Sequence, residues 1–301
     1  MVLPRHCALR HNFRVPAGTD SMPPLMGHHY RSVCFGVETL PDYQVQRPRH
    51  RHAAGYATVV LAGNFIESGF AGRLVARAGD VLLHGRFDCH ADAPQGVRPI
   101  QILRLPWDDD SRDGHFVTRD PDRLAQLAER DPYEAMHTLA RELRAVERRE
   151  QHWTDVLAAR LTGPAKLSLR HWATDHGLRP EELSRGFRCT FGISPKRFRL
   201  EVRARRAWGA VITSYRALTD IAQDFEFADL AHMSRSIRAL TGHSPTAWRM
   251  TPTSLVRREI NCPDALAWKK ARSADIKCRY ISCCTSVMMR WPILFMMTVW
   301  K

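Results

Sequence analysis

No run of about 18 apolar residues occurs anywhere in this sequence, so a membrane-spanning helix is not expected. Residues 1–30 lack the short apolar stretch of a secretory leader, and a cytoplasmic location is the expectation. The 8 cysteines, Cys7, Cys34, Cys89, Cys189, Cys262, Cys278, Cys283 and Cys284, contain no CxxC pair, so neither a zinc module nor a disulfide framework is indicated. Acidic residues are the scarcer charge: 31 Asp and Glu stand against 45 Lys and Arg, for a net charge of +14 with His neutral. Such an excess suits a polyanionic partner, above all nucleic acid, and less often an anionic membrane surface. A hydrophobic fraction of 44% is too high for a largely disordered chain, and 301 residues suffice for about two domains.

The positive charge is unevenly placed. Residues 1–120 carry 14 basic and 12 acidic groups, and residues 121–163 carry 7 and 8. Residues 164–251 carry 15 and 8, for a net of +7, and residues 252–301 carry 9 and 3. The field therefore belongs to the second half.

Patterning divides the chain in the same place. Thr58–Leu61, Arg73–Ala76, Asp80–Leu83 and Ile100–Leu105 are short apolar runs. They are punctuated by Gly63, Gly69, Gly72, Gly79 and Gly85, as antiparallel strands joined by tight turns require. Asp108–Ser111 reads as a solvated loop. Asp120-Pro121 and Asp131-Pro132 each place a capping carboxylate before a proline in the first helical turn. Leu124, Leu127 and Ala128, then Met136, Leu139, Ala140, Leu143 and Val146, mark the apolar faces of the helices that follow. Gly163-Pro164 breaks the chain before the basic segment, and no strand is expected between 121 and 251.

That basic segment contains an internal repeat. At an offset of 50, Ser184-Arg185 aligns with Ser234-Arg235, Arg188 with Arg238, Gly192 with Gly242, Ser194-Pro195 with Ser244-Pro245 and Phe198 with Trp248. Upstream the offset becomes 49, pairing Leu169 with Leu218, Ala173 with Ala222 and Leu178 with Phe227. Each copy predicts two helices joined by a tight turn. In the first, Ser168 caps, Trp172 and Ala173 face inward, Gly177 turns the chain and Pro180 opens a helix that buries Leu183 and Phe187. In the second, Thr219 caps, Ile221 and Ala222 face inward, Phe227 plugs the turn, Asp229 caps, and Met233 and Ile237 are buried. A helix starting at Ser194-Pro195, with Phe198, Val202, Trp208 and Val211 inward, joins the copies. At about 18 residues it spans about 27 Å, close to one duplex turn of about 34 Å, so both copies can reach adjacent major-groove segments. The outward arginines Arg188, Arg199, Arg203, Arg205, Arg206 and Arg238 are the expected phosphate contacts.

The arrangement over residues 164–251 resembles the double helix-turn-helix domain of the AraC/XylS family of transcriptional regulators. The strongest stretch runs from Leu218-Thr219-Asp220-Ile221-Ala222 to Gly242-His243-Ser244-Pro245 and Trp248-Arg249. The resemblance implies base contacts from Glu181, Ser184 and Arg185 in the first module and from Ala231, His232, Ser234 and Arg235 in the second. It also implies glycine at the second turn, where this chain has Glu226. A non-glycine residue at positive φ costs roughly 1–2 kcal/mol, and the carboxylate adds negative charge near phosphates.

In this family a cupin-like sensor commonly precedes the DNA-binding domain, and the β-rich segment resembles one. His50, His52, Tyr56 and Gly63 fit the spacing of the first cupin motif, and Gly79 and His90 that of the second. Tyr56 stands where metal-binding cupins have Glu, and Gly85 and Phe87 where they have Pro and Gly. His50, His52 and His90 are thus candidate metal ligands, although a pocket for a small effector is the favoured role and no cofactor is expected. The expected fold is multidomain α+β. An arm (1–30) precedes an antiparallel cupin-like β-barrel that binds effector (31–118). Linker or dimerisation helices (119–163) lead to an all-α DNA-binding domain with two helix-turn-helix motifs (164–251). A tail (252–301), with four of the 8 Cys and no helical period, is expected to be poorly ordered; an altered reading frame or a membrane-surface anchor would also suit its composition. The expected function is that of an effector-responsive activator, binding double-stranded DNA as a homodimer and contacting RNA polymerase, with no membrane association and no enzymatic activity. The alternatives are a metal-dependent cupin enzyme with a helical appendage and a nonspecific DNA-compacting protein.

Overall fold

The computed structural model describes residues 33, 35–40, 47–95, 99–107, 113–146, 152–163 and 167–250. The arm at 1–30, the loop Asp108–Ser111, Pro164 and the tail at 252–301 lie outside the described residues. The strands are β1 (Gly36–Leu40), β2 (Arg47–Arg51), β3 (Tyr56–Ala62), β4 (Asn64–Gly69), β5 (Gly72–Arg77), β6 (Asp80–His84), β7 (Cys89–Pro94), β8 (Ile100–Pro106), β9 (Gly114–Val117) and β10 (Arg144–Ala145). The helices are α1 (Pro121–Arg130), α2 (Pro132–Glu142), α3 (Trp153–Thr162), α4 (Leu169–Asp175), α5 (Pro180–Phe191), α6 (Pro195–Thr213), α7 (Leu218–Asp224), α8 (Leu230–Thr241) and α9 (Pro245–Met250).

The strands form two antiparallel sheets rather than a closed barrel. One has six strands in the order β1-β8-β3-β6-β9-β10, the other four in the order β2-β7-β4-β5. The apolar runs legible in the sequence became the centre of the larger sheet. Val59 on β3 pairs with Val81 on one side and Leu103 on the other. Because successive side chains point to opposite faces, these strands feed two cores at once. Ala57, Val59, Val81, Leu83, Leu103 and Leu105 pack with α1 and α2 through Leu124, Ala128, Ala135 and Leu139. Val60, Leu82, Ile100 and Ile102 turn the other way, to meet Phe65, Leu74 and Ala76 of the smaller sheet. Burial on both faces explains why these strands read as continuous apolar runs rather than alternating ones.

Asp120 caps α1 by accepting the Arg123 N–H at 2.9 Å, and Asp131 caps α2 by accepting those of Tyr133 and Glu134. One strand does fall after residue 121: Arg144 and Ala145 form β10, pairing with Val117 and Phe116. It is two exposed residues long, too short and too polar to leave a periodic signal. Helix α3 joins the first helical module, where Leu157, Ala158 and Leu161 share a core with Trp172, Leu183, Phe187, Phe191, Phe198 and Val202. The outer face of the smaller sheet lies against the helical modules: Cys89 of β7 packs in one core with Trp208, Ile221, Met233 and Trp248. Among the described residues no helix is long and apolar enough to cross a membrane.

Candidate nucleic-acid interface

The first module is α4 and α5. Ser168 accepts the His171 N–H at 3.4 Å, and Trp172 and Ala173 are buried. Gly177 sits at φ +65° with open space around it, so the backbone angle and not crowding demands glycine there. Pro180 opens α5, whose Leu183, Phe187 and Phe191 are buried and whose C-cap Gly192 is left-handed. The Phe187 and Phe191 rings lie 5.3 Å from that of Phe198 on α6. With that face spent, Glu181, Ser184, Arg185 and Arg188 are exposed on the other. Arg179 bonds the side chain of Glu182 at 2.7 Å and gives up its own N–H to it at 3.0 Å, holding that carboxyl down at about 2 and closing the first turn.

The second module repeats the plan with different chemistry. Met233 and Ile237 of α8 are fully buried, and Gly242 caps the helix in the left-handed region as Gly192 does. Where the first module has Phe191, the second has Thr241, whose hydroxyl accepts the Trp248 indole N–H at 2.7 Å. Thr219 does not cap α7. The cap is Ala217, which offers no side-chain bond, and Thr219 is the second residue of the helix, with its hydroxyl on Asp220 at 3.3 Å. Asp229 caps α8 through the His232 N–H. On α8, Ala231, Arg235 and Arg238 are exposed and His232 and Ser234 are half-buried, His232 edge-on to Phe227.

Helix α6 joins the modules over 19 residues, about 28 Å at 1.5 Å per residue. Its arginines divide by environment. Arg199 bonds the Glu226 carboxylate at 3.0 Å and the Leu167 carbonyl at 3.3 Å. Arg203 donates to the carbonyls of Phe225 and Glu226 and lies 4.5 Å from the Phe227 ring. Arg205 bonds Asp113 and the Arg86 carbonyl. These three guanidiniums, expected on phosphates, are spent inside the chain. Arg185, Arg188, Arg206, Arg235 and Arg238 are exposed, with no side-chain hydrogen bond or ion pair to another described residue. Glu226 does take the positive φ that the glycine comparison implies, at 56°. Its carboxylate faces Arg199.

The expected histidines also meet. His50 of β2 lies directly opposite His90 of β7 in the ladder, with ring centroids 4.4 Å apart. His52 stacks on His90 at 5.6 Å, and one ligand atom from each of the three lies within 4.8 Å of the others. His90 is 2% exposed, and its Nδ1 has no partner. Burial, and then His84, His50 and His52, hold His90 well below the usual histidine range, so it is a neutral imidazole at pH 7. Sequence reasoning missed Glu67, His84 and Asp88, which lie beside it. His84 is 3.1 Å from Asp88 and 3.4 Å from Glu67. Burial opposes its charge, but Glu67 and the Asp88 hydrogen bond outweigh this and raise its pKa to about 9. Glu67 comes from β4, His84 from β6 and Asp88 from the turn before β7, so the His84–Asp88 spacing was local but the approach of Glu67 depended on how the strands assemble. Tyr56, at the position where a ligand Glu was the comparison, bonds His90 Nε2 through its hydroxyl at 3.2 Å and is held as a phenol by burial.

A model described as a helix-turn-helix domain matches residues 172–251. No curated protein matches the chain. Among solved structures, a transcriptional regulator with an AraC-type DNA-binding domain from Chromobacterium violaceum is 23% identical, over 32% of this chain and 80% of that one, with a TM-score of 0.26. The DNA-binding domain of AdpA, solved with a target DNA, is 18% identical over 36% of this chain and 97% of its own, with a TM-score of 0.31. ToxT from Vibrio cholerae, solved with a bound unsaturated fatty acid, is 8% identical over 73% of this chain and 95% of its own, with a TM-score of 0.34. The matched helix-turn-helix model and the duplicated module with its two left-handed caps fall on the same residues, so this segment is a helix-turn-helix domain.

Proposed function

We propose that this protein is a sequence-specific, effector-responsive regulator of transcription that reads two successive major-groove segments with α5 and α8. The observation that carries the reading is the equivalent exposure of Arg185 and Arg235 on two helices of one repeat, spaced by a continuous helix of nearly one duplex turn. Glu181 and Ser184 on α5, and Ala231, His232 and Ser234 on α8, complete the base-reading set. Arg188, Arg206 and Arg238 serve as phosphate contacts. Arg199, Arg203 and Arg205 act instead as internal braces, because their donors already have acceptors. Contacts from the smaller sheet to the joining helix and to the second module support effector response: Arg49 of β2 bonds Glu201 of α6 at 3.1 Å, and Arg51 bonds the Ala239 carbonyl of α8 at 2.9 Å.

Selection of bound duplexes from a random pool tests the proposal. A defined consensus is expected, with Arg185→Ala and Arg235→Ala each weakening it by about 1–3 kcal/mol. Neutralising Arg188, Arg206 or Arg238 should lower the slope of log affinity against log salt by about 1 each. Recovery of unselected sequence would instead identify a nonspecific compacting protein.

A further inference from the structure

The two helix-turn-helix modules share a cleft of about 520 Å³, lined from α3, α4, α6 and α8. Its charged and ionisable side chains are Arg170, Lys196, Arg199, Arg203 and His232, and none of its described lining residues is acidic. The others are leucines and Pro195. Apolar walls with charge of one sign concentrate the electric field in such a cleft. Arg170 and Lys196 are exposed, with no side-chain hydrogen bond or ion pair to another described residue. Arg203 is held below the usual arginine range by burial first and then by Arg199, against the opposing pull of Glu226. The cleft is therefore short of negative charge even with Glu226 beside it. We propose that this cleft seats the DNA backbone between the two reading helices, and that the Glu226 carboxylate stands in for a phosphate on Arg199 and so holds affinity down. The proposal deepens the DNA-binding reading above, on which it rests, by naming a brake on it.

The backbone at 226 does not call for a glutamate. Its φ of 56° is one that glycine adopts without strain. The turn is tied to α6 through the main chain, because Arg203 donates to the carbonyls of Phe225 and Glu226. The carboxylate instead engages Arg199, which donates to it at 3.0 Å. A guanidinium fork fits carboxylate and phosphate alike. The paired side chains are 24% and 31% exposed, so a phosphate oxygen can reach Arg199 and the displaced carboxylate can reach water. An ion pair this open to solvent is weakly held. Arg199 keeps a second acceptor, the Leu167 carbonyl at 3.3 Å, which anchors it beside α4 whether Glu226 or a phosphate is its partner.

Binding of the full chain to one duplex of arbitrary sequence, followed as salt is raised, tests both halves. Phosphate contacts are indifferent to sequence, so the result stands whether or not the duplex selection above yields a consensus. Glu226→Gln should steepen the slope of log affinity against log salt by about 1 and tighten binding roughly tenfold at about 0.05 M salt. Misfolding cannot imitate such a gain. In an Arg199→Gln background the same substitution should give no gain. A gain that persists there is the general effect of removing a negative charge, and it overturns the brake, as does unchanged or weaker binding by Glu226→Gln alone. Arg170→Gln and Lys196→Gln should each lower the slope by about 1. A slope unchanged in both overturns the seat. Failure of the duplex selection with these shifts intact overturns the sequence-specific reading alone.

Discussion

Among the described residues two that are not glycine take a positive φ, Phe87 at 59° and Glu226 at 56°, and both stand where the family comparison expects glycine. Each is compensated by contacts that a glycine would not provide or would not need. Phe87 is 1% exposed, with its ring 4.8 Å from Trp208 and 5.8 Å from Trp248. Glu226 has Arg199 on its carboxylate and Arg203 on its carbonyl. Replacing Glu226 with Gly relieves roughly 1–2 kcal/mol of backbone cost but loses a half-exposed ion pair worth about 0–1 kcal/mol and adds chain entropy of about 0.5–1 kcal/mol. The expected change in urea unfolding is under about 1 kcal/mol. Arg203→Ala removes charged bonds from two carbonyls at the end of α7 and should cost about 2–3 kcal/mol. The order of these two variants checks that Arg203, and not the side chain of Glu226, holds the turn. The unusual residue at 226 was legible in the sequence. Which arginines it engages was not: a helical charge pattern shows which guanidiniums face outward, but their acceptors come from other elements.

At the level of elements, the helices at 121–162 divide into two roles that no local pattern separates. The apolar faces of α1 and α2 are used against the six-stranded sheet, whereas α3 packs on α5. That packing is close: a Cβ at Gly186 would lie 2.6 Å from Trp153 Cζ2. Helix propensity alone makes Gly186→Ala stabilising by about 1 kcal/mol. Overpacking predicts the opposite sign, a loss of about 1–3 kcal/mol with a shift in tryptophan fluorescence. Denaturation of this variant decides which effect wins, and destabilisation is expected. Both helix-turn-helix copies were readable because capping, turn glycine and buried pairs all act within about 25 residues. The strands lacking apolar runs, β2 and β7 among them, were not. Their burial is set by partners far along the chain, as with the basic Arg47–Arg51, which pairs with Cys89, His90 and Asp92.

Across the whole molecule, the net charge of +7 on residues 164–251 overstates what DNA meets, since several of those arginines are paired internally. Arg205 and Asp113 join α6 to the larger sheet across a cleft of about 420 Å³. A double-mutant cycle with Arg205→Ala and Asp113→Ala should show a coupling of about 1 kcal/mol or more in unfolding; additive effects would mean that the pair contributes nothing. The core of the second module carries a further consequence. Phe87 from the β6–β7 turn and Cys89 of β7 complete a buried cluster otherwise built from α6, α7, α8, α9 and Phe227 between α7 and α8. The helix-turn-helix half is therefore not a freely interchangeable cassette. A recombinant regulator made by joining residues 167–250 to an unrelated sensor would carry an aromatic-sized hole beneath Trp208 and Trp248, and selection for function in such a chimera should favour new bulk at that spot before any change in the reading helices.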